Sequence, residues 1–293
     1  MGPIPRDPYN GLSTHGVGSM NFAIWKKAVW EAWRSLLVCS VLLILFAWLF
    51  VWLMCQFPPG FFGRFLPFLP EFLQRLLDVP IALLATRTGE LSILFVHVVT
   101  MLVCVGWALA RGSASIAGEI GRGTMDLILS LPIWRPTLVV APAVVAAVGS
   151  AVLAGSVCAG LGLGLLTVDV GEDLALSRFL PGAVNLFLMT FAFTGVTMLV
   201  SSWSHDRWHV MAIAGGVFIA SLILKMVASL WSAGEWLGYF SFLSAFEPQQ
   251  IILMGKQAEP SAVECNVTLL GLGLACYLAA AAVLWYRDIP AAK

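Results

Sequence analysis

The sequence predicts an all-α, polytopic membrane protein with six transmembrane helices. Three observations carry that prediction. Of the 293 residues, 60% are apolar and 11% charged, against roughly 25% charged in an average soluble domain. Six apolar runs meet or approach the ~20 residues that cross a bilayer's hydrocarbon. Lysine and arginine are spread unevenly over the segments that join those runs, as membrane insertion requires.

The elements follow in order. Residues 1–19 carry Pro3, Pro5 and Pro8 and no apolar core, so they are expected to be disordered and not a cleaved signal, with Met20 a possible alternative start. Residues 20–293 then form a single membrane domain. Asn21 to Ser35 reads as an N-terminal amphipathic interfacial helix, with Phe22, Trp25, Val29 and Trp33 near one face and Lys27, Glu31 and Arg34 on another. Spans are expected at Leu36 to Cys55, Leu91 to Ala110, Leu138 to Thr167, Ala183 to Trp203, Val210 to Leu230 and Val267 to Tyr286. The third is long enough to tilt, or to include a turn broken at Pro142. After the first span, Glu71 to Leu84 suits a short amphipathic helix on the membrane surface. Before the last, Ser232 to Cys265 carries Trp236, Tyr239 and Phe240, residues that favour headgroup level. Small residues recur every four positions at Ser156, Gly160 and Gly164, at Ala212, Gly216 and Ala220, and at Gly271, Ala275 and Ala279, either for close packing within the bundle or for a dimer seam.

Orientation follows from charge. With both termini in the cytoplasm, ten lysines and arginines lie inside and five outside, and the outer five are outnumbered by acids. A multi-pass protein of the cell membrane is expected. The six cysteines form no C-x-x-C pair and read as small hydrophobes, although Cys55 and Cys265 both fall toward the outer side, where a disulfide is conceivable.

Chemistry of its own is not expected. Net charge is zero, which gives no footprint for nucleic acid, and no phosphate-binding G-x-x-x-x-G-K-[ST] loop occurs. No nucleophile–base pair or carboxylate pair stands at membrane depth, so no catalytic residue is assigned. His205 and His209 have a spacing that metals accept, but without a third ligand they read as interfacial polar residues, and no metal or bound cofactor is expected. His97 in the second span and Lys225 in the outer part of the fifth are the candidate pathway residues. Their other readings are a packed histidine and a lysine that snorkels to the surface.

The most distinctive stretch lies between spans two and three, RGSASIAGEIGRGTMDLILSLPIWRP from Arg111 to Pro136. Thr124 is a good N-cap, Asp126 suits the positive end of a helix dipole and Pro132 ends the turn, so a short helix along the membrane is expected. Leu127, Ile128 and Leu131 give it apolar contacts, with Glu119, Arg122, Asp126 and Arg135 around them. This is either a docking surface for a soluble partner or an ordinary amphipathic connection.

Gly118 to Pro132, reading GEIGRGTMDLILSLP, resembles the signature of ABC type-2 exporter permeases, and the likeness extends from about Met20 to the tail at Arg287-Asp288-Ile289-Pro290. Gly121 stands where a charged residue is common, Trp134 where Ser or Thr is, and Ala141-Pro142 replaces a small-plus-basic pair. The resemblance implies that residues 20–293 form a permease domain and that the short helix is a cytoplasmic coupling helix. It implies an ATPase-coupling interface at Gly118, Glu119, Arg122, Gly123, Thr124, Asp126, Leu127, Leu131 and Pro132. It also implies two copies of a separate ABC ATPase that bind ATP and Mg, and a second permease, identical or a sister, as dimer partner, with membrane lipid around them. An amphipathic or lipid-like substrate suits the nearly uncharged spans. A secondary transporter or channel driven by an ion gradient is the alternative from another class.

Overall fold

The computed structural model describes residues 14–58, 60–61, 70, 79–124, 137–171, 174–258 and 260–286, with the backbone alone for 14–22 and 256. Among these there is no strand. The helices are α1 (Thr14–Cys55), α2 (Ile81–Leu84), α3 (Arg87–Val96), α4 (Val98–Ser115), α5 (Ala117–Gly121), α6 (Thr137–Thr167), α7 (Leu180–Trp203), α8 (Arg207–Leu230), α9 (Pro248–Met254) and α10 (Ala262–Tyr286). Six stretches are long and apolar enough to cross a membrane, and each contains or overlaps an expected span.

Four details differ from the expectations. The interfacial segment is not separated from the first span. Both belong to α1, whose 42 residues make a rod of roughly 63 Å, about twice the hydrocarbon thickness. That helix already includes Thr14, inside the stretch that composition leaves unstructured, while residues 1–13 lie outside the described residues. Pro142 does not break α6, which runs through it, as proline is tolerated in membrane helices. The second span is interrupted: His97 is extended (φ −61°, ψ 142°) between α3 and α4. Of the surface helix expected over Glu71 to Leu84, α2 is the described part, and residues 71–78 lie outside the described residues.

The bundle is organised around α7, which packs on α4, α6 and α10. In its most apolar window 72% is buried, against 17% for α8, so α7 is the central helix and α8 a peripheral one. Along the other side, α1 lies against α6. A Cβ at Gly160 would stand 2.4 Å from the Ile44 carbonyl, so only glycine allows that crossing. The α6 stripe therefore serves packing inside the bundle, whereas Gly216 and Gly271 have open space before them. A capping box starts α10: Glu264 N–H donates to the Ser261 hydroxyl at 3.3 Å, and Ser261 N–H to the Glu264 carboxylate at 2.9 Å. All six cysteines are free thiols, so no Cys55–Cys265 bridge is formed.

Candidate functional site

Two polar clusters occupy opposite ends of the bundle. The first is built on α5. Its start is tied to the central helix, because the N–H groups of Ile116 and Ala117 both donate to the Ser201 hydroxyl of α7, at 3.4 and 2.9 Å. Its end is a Schellman cap. Gly123 adopts φ +68°, its N–H donates to the Ile120 carbonyl at 3.0 Å, and Thr124 N–H donates to the Glu119 carbonyl at 3.2 Å.

That turn places Thr124 beside Glu119. The Glu119 carboxylate, buried with the residue 8% exposed, accepts from Lys27 Nζ at 2.6 Å, from the Thr124 hydroxyl at 2.6 Å and from the Arg122 guanidinium. Burial by itself would push its pKa up. The hydrogen bonds from Lys27 and Thr124, with the charges of Lys27 and Arg122, outweigh burial and hold the carboxyl below the usual glutamate value. Glu31 extends the cluster, 4.0 Å from Lys27 and 3.8 Å from Arg122. Gly118 is buried against Ser113 and Ala114, and Arg122 remains largely exposed. Asp126, Leu127, Leu131 and Pro132 lie outside the described residues. Glu119 and Arg122 therefore bind within the chain, where they join the segment after span two to α1.

The second cluster lies at the other end of α8. Lys225 stands eighteen residues beyond Arg207, roughly 27 Å along the helix. Its ammonium donates to the Phe246 carbonyl at 3.0 Å and to the Glu247 carboxylate, with side-chain exposures of 20% and 10%. Glu247 is fixed in turn, its N–H donating to the Asn185 amide oxygen at 3.0 Å. Asn185, fully buried in α7, donates to Asn266 Oδ1 at 2.9 Å and to the Ala245 carbonyl at 3.1 Å. The pair closes the polar end of a cavity of about 620 Å³ whose remaining wall includes Met101, Leu102, Phe218, Leu222 and Met226. That is within the ordinary range for a small-molecule site, apolar with a few convergent polar groups.

His97 is placed otherwise. Its neighbours Val96 and Val98 line the cavity, while its ring lies against Phe46 and Phe50 of α1, with centroids 4.8 and 5.5 Å away. Its Nδ1 accepts from Val99 N–H at 3.2 Å, so the side chain caps α4. On the same side as the cavity, Arg87 closes the end of α1, donating to the Met54 and Phe57 carbonyls at 2.8 and 2.6 Å and to Glu90 at 2.9 Å. His209 faces Asp206 at 2.9 Å, and among the described residues no three of His, Cys, Asp and Glu stand together as a metal site.

Sequence reasoning found Lys225 and missed Glu247, Asn185 and Asn266. A buried amide within an apolar span was the available signal.

Six helices long and apolar enough to cross a membrane, a charged tie at one end and a cavity at the other define a multi-pass helical membrane protein. The family described as ABC-2 family transporter protein matches residues 24–287, and the chain belongs to it. It is an ABC-type permease, a transport subunit that is not itself catalytic. A search among curated proteins finds no match.

Proposed function

We propose that this permease is the membrane half of an exporter driven by ATP, which separate ABC ATPase chains bind with Mg and hydrolyse at the face carrying Glu119. The observation that carries this reading is the half-buried Lys27–Glu119 contact, reinforced by Arg122 and Thr124. It ties the long helix α1 to the turn from Gly118 to Thr124, the kind of stiff contact that transmission of a push requires. Both termini and this cluster lie in the cytoplasm, in a chain of the cell membrane, in line with the excess of Lys and Arg there.

The substrate is amphipathic or lipid-like: its apolar part lies along Met101 and Phe218, and its polar part meets Lys225 and Glu247. A second permease, the same chain or a sister, pairs with it, and the open space before Gly216 on the poorly buried α8 offers a close-approach surface. The test is affinity purification of the tagged chain from its own cells in mild detergent, followed by reconstitution. Stoichiometric recovery of a soluble ATPase, and movement of a fluorescent lysolipid only with ATP, is the expected result. Transport that proceeds without ATP and follows an imposed ion gradient would transfer the assignment to a secondary transporter, for which the interrupted second span at His97 is the favouring observation.

A further inference from the structure

Where α4 ends and α8 begins, two arginines stand with no carboxylate in salt-bridge contact among the described residues. Arg111, in the last turns of α4, is half-buried. Its guanidinium lies over the Trp107 ring at 5.6 Å, and its Nε is buried with no hydrogen-bond partner among the described residues. Arg207, the first residue of α8, is half-buried and donates Nε–H to the Ser113 hydroxyl at 3.2 Å. The Glu31 carboxylate attracts the Arg111 guanidinium from beyond salt-bridge distance, while the charges of Arg207 and Arg122 repel it.

The nearby acids among the described residues have other partners. Glu119 holds Lys27 and Arg122, Glu31 sits 3.8 Å from Arg122, and Asp206 accepts from Trp208 N–H and faces His209. A half-buried guanidinium with no carboxylate in direct contact is costly, and an anion from outside the chain offsets that cost. The surroundings say where it comes from. Trp203 and Trp208 flank the site at 68% and 76% exposure, in the way aromatic residues mark headgroup level. The poorly buried face of α8 runs from Arg207 into the membrane and offers a surface for acyl chains.

We propose that Arg111 and Arg207 hold the phosphate of an anionic membrane lipid, their guanidinium N–H groups donating to its oxygens. The site rests on the membrane placement of the chain and is independent of what drives transport. Its ligand is a resident lipid, separate from the cavity closed by Lys225.

Native mass spectrometry of the purified full-length chain, after exchange into equimolar phosphatidylglycerol and phosphatidylcholine, reads the preference directly. Retention of phosphatidylglycerol is expected, falling about fivefold in Arg207→Gln and on the order of thirtyfold when Arg111→Gln is added. Arg34→Gln, an exposed arginine of α1, should leave it unchanged. Equal retention by the parent and the double variant overturns the site, and so does an equal fall in Arg34→Gln, which would assign the attraction to the whole basic face. Release of the lipid by an equal concentration of inorganic phosphate overturns the lipid and assigns a soluble phosphate. Should the double variant fail to elute as a monodisperse species, Arg207→Gln, which gives up one hydrogen bond, carries the test alone.

Discussion

Lys27 and Glu119 are 92 residues apart in sequence, and their side chains meet at 2.6 Å. One belongs to the helix that enters the membrane first and the other to the turn after the second span. Their contact converts two surface features into one mechanical unit.

Glu119→Gln removes the charge from that contact and leaves Lys27 and Arg122 facing a neutral amide. A loss of about 1–3 kcal/mol of stability is expected, the scale of hydrogen bonds to a charged group. Membrane insertion should be retained and transport largely lost. Thermal unfolding in detergent and a transport assay on reconstituted vesicles measure the two effects.

The same carboxyl makes stability depend on pH. Its folded-state pKa lies below the usual glutamate value, so its contribution is fully present above that value and is lost as pH falls through the folded-state pKa. A plateau at neutral pH and a decline on the acid side of the ordinary carboxylate range are expected. In Glu119→Gln the decline should be shallower, as unfolding midpoints recorded across acid pH would reveal.

Lys225 and Glu247 form a pair largely withdrawn from water. Lys225→Met or Glu247→Gln alone strands one charge and should cost about 3–5 kcal/mol, whereas Lys225→Met with Glu247→Met should recover most of it. Transport should fail in all three if the pair meets the substrate. A double-mutant cycle in stability, run beside lysolipid transport, separates the structural role from the functional one.

Gly160→Val places a branched side chain against the Ile44 carbonyl, where even a Cβ would stand at 2.4 Å. Overpacking of about 1–3 kcal/mol or more is expected. Gly155→Ala, on the same helix with nothing within 4 Å of its added carbon, should be tolerated. Comparing expression yield and melting temperature of the two checks the crossing.

The spans were legible because crossing hydrocarbon takes a run of apolar residues whose length is set by the bilayer, and nothing else in this chain makes such runs. The interruption at His97 was not, because neither proline nor glycine marks it. A histidine ring takes the capping role usually given to Ser, Thr, Asp or Asn. Lys225 stood out as a charge in an apolar span, but Glu247, 22 residues on in an outer segment, became its partner only through the fold. Lys27 read as a solvated charge on a polar helix face, and Glu119 as a charge turned outward. Which of them faces the other depends on a rod that continues unbroken from the interfacial segment into the membrane, and amphipathicity alone does not distinguish that from a bend.

The rod has a further consequence. Helix α1 is held near one end by Glu119, near the other by Arg87, and is crossed between them by α6 at Gly160. A stiff beam resting on an intermediate fulcrum reverses the direction of any displacement applied to it. Under the proposed function, a push at Lys27 that swings one end inward would swing Met54 outward, so that closing one side of the membrane and opening the other would be a single movement of a single piece.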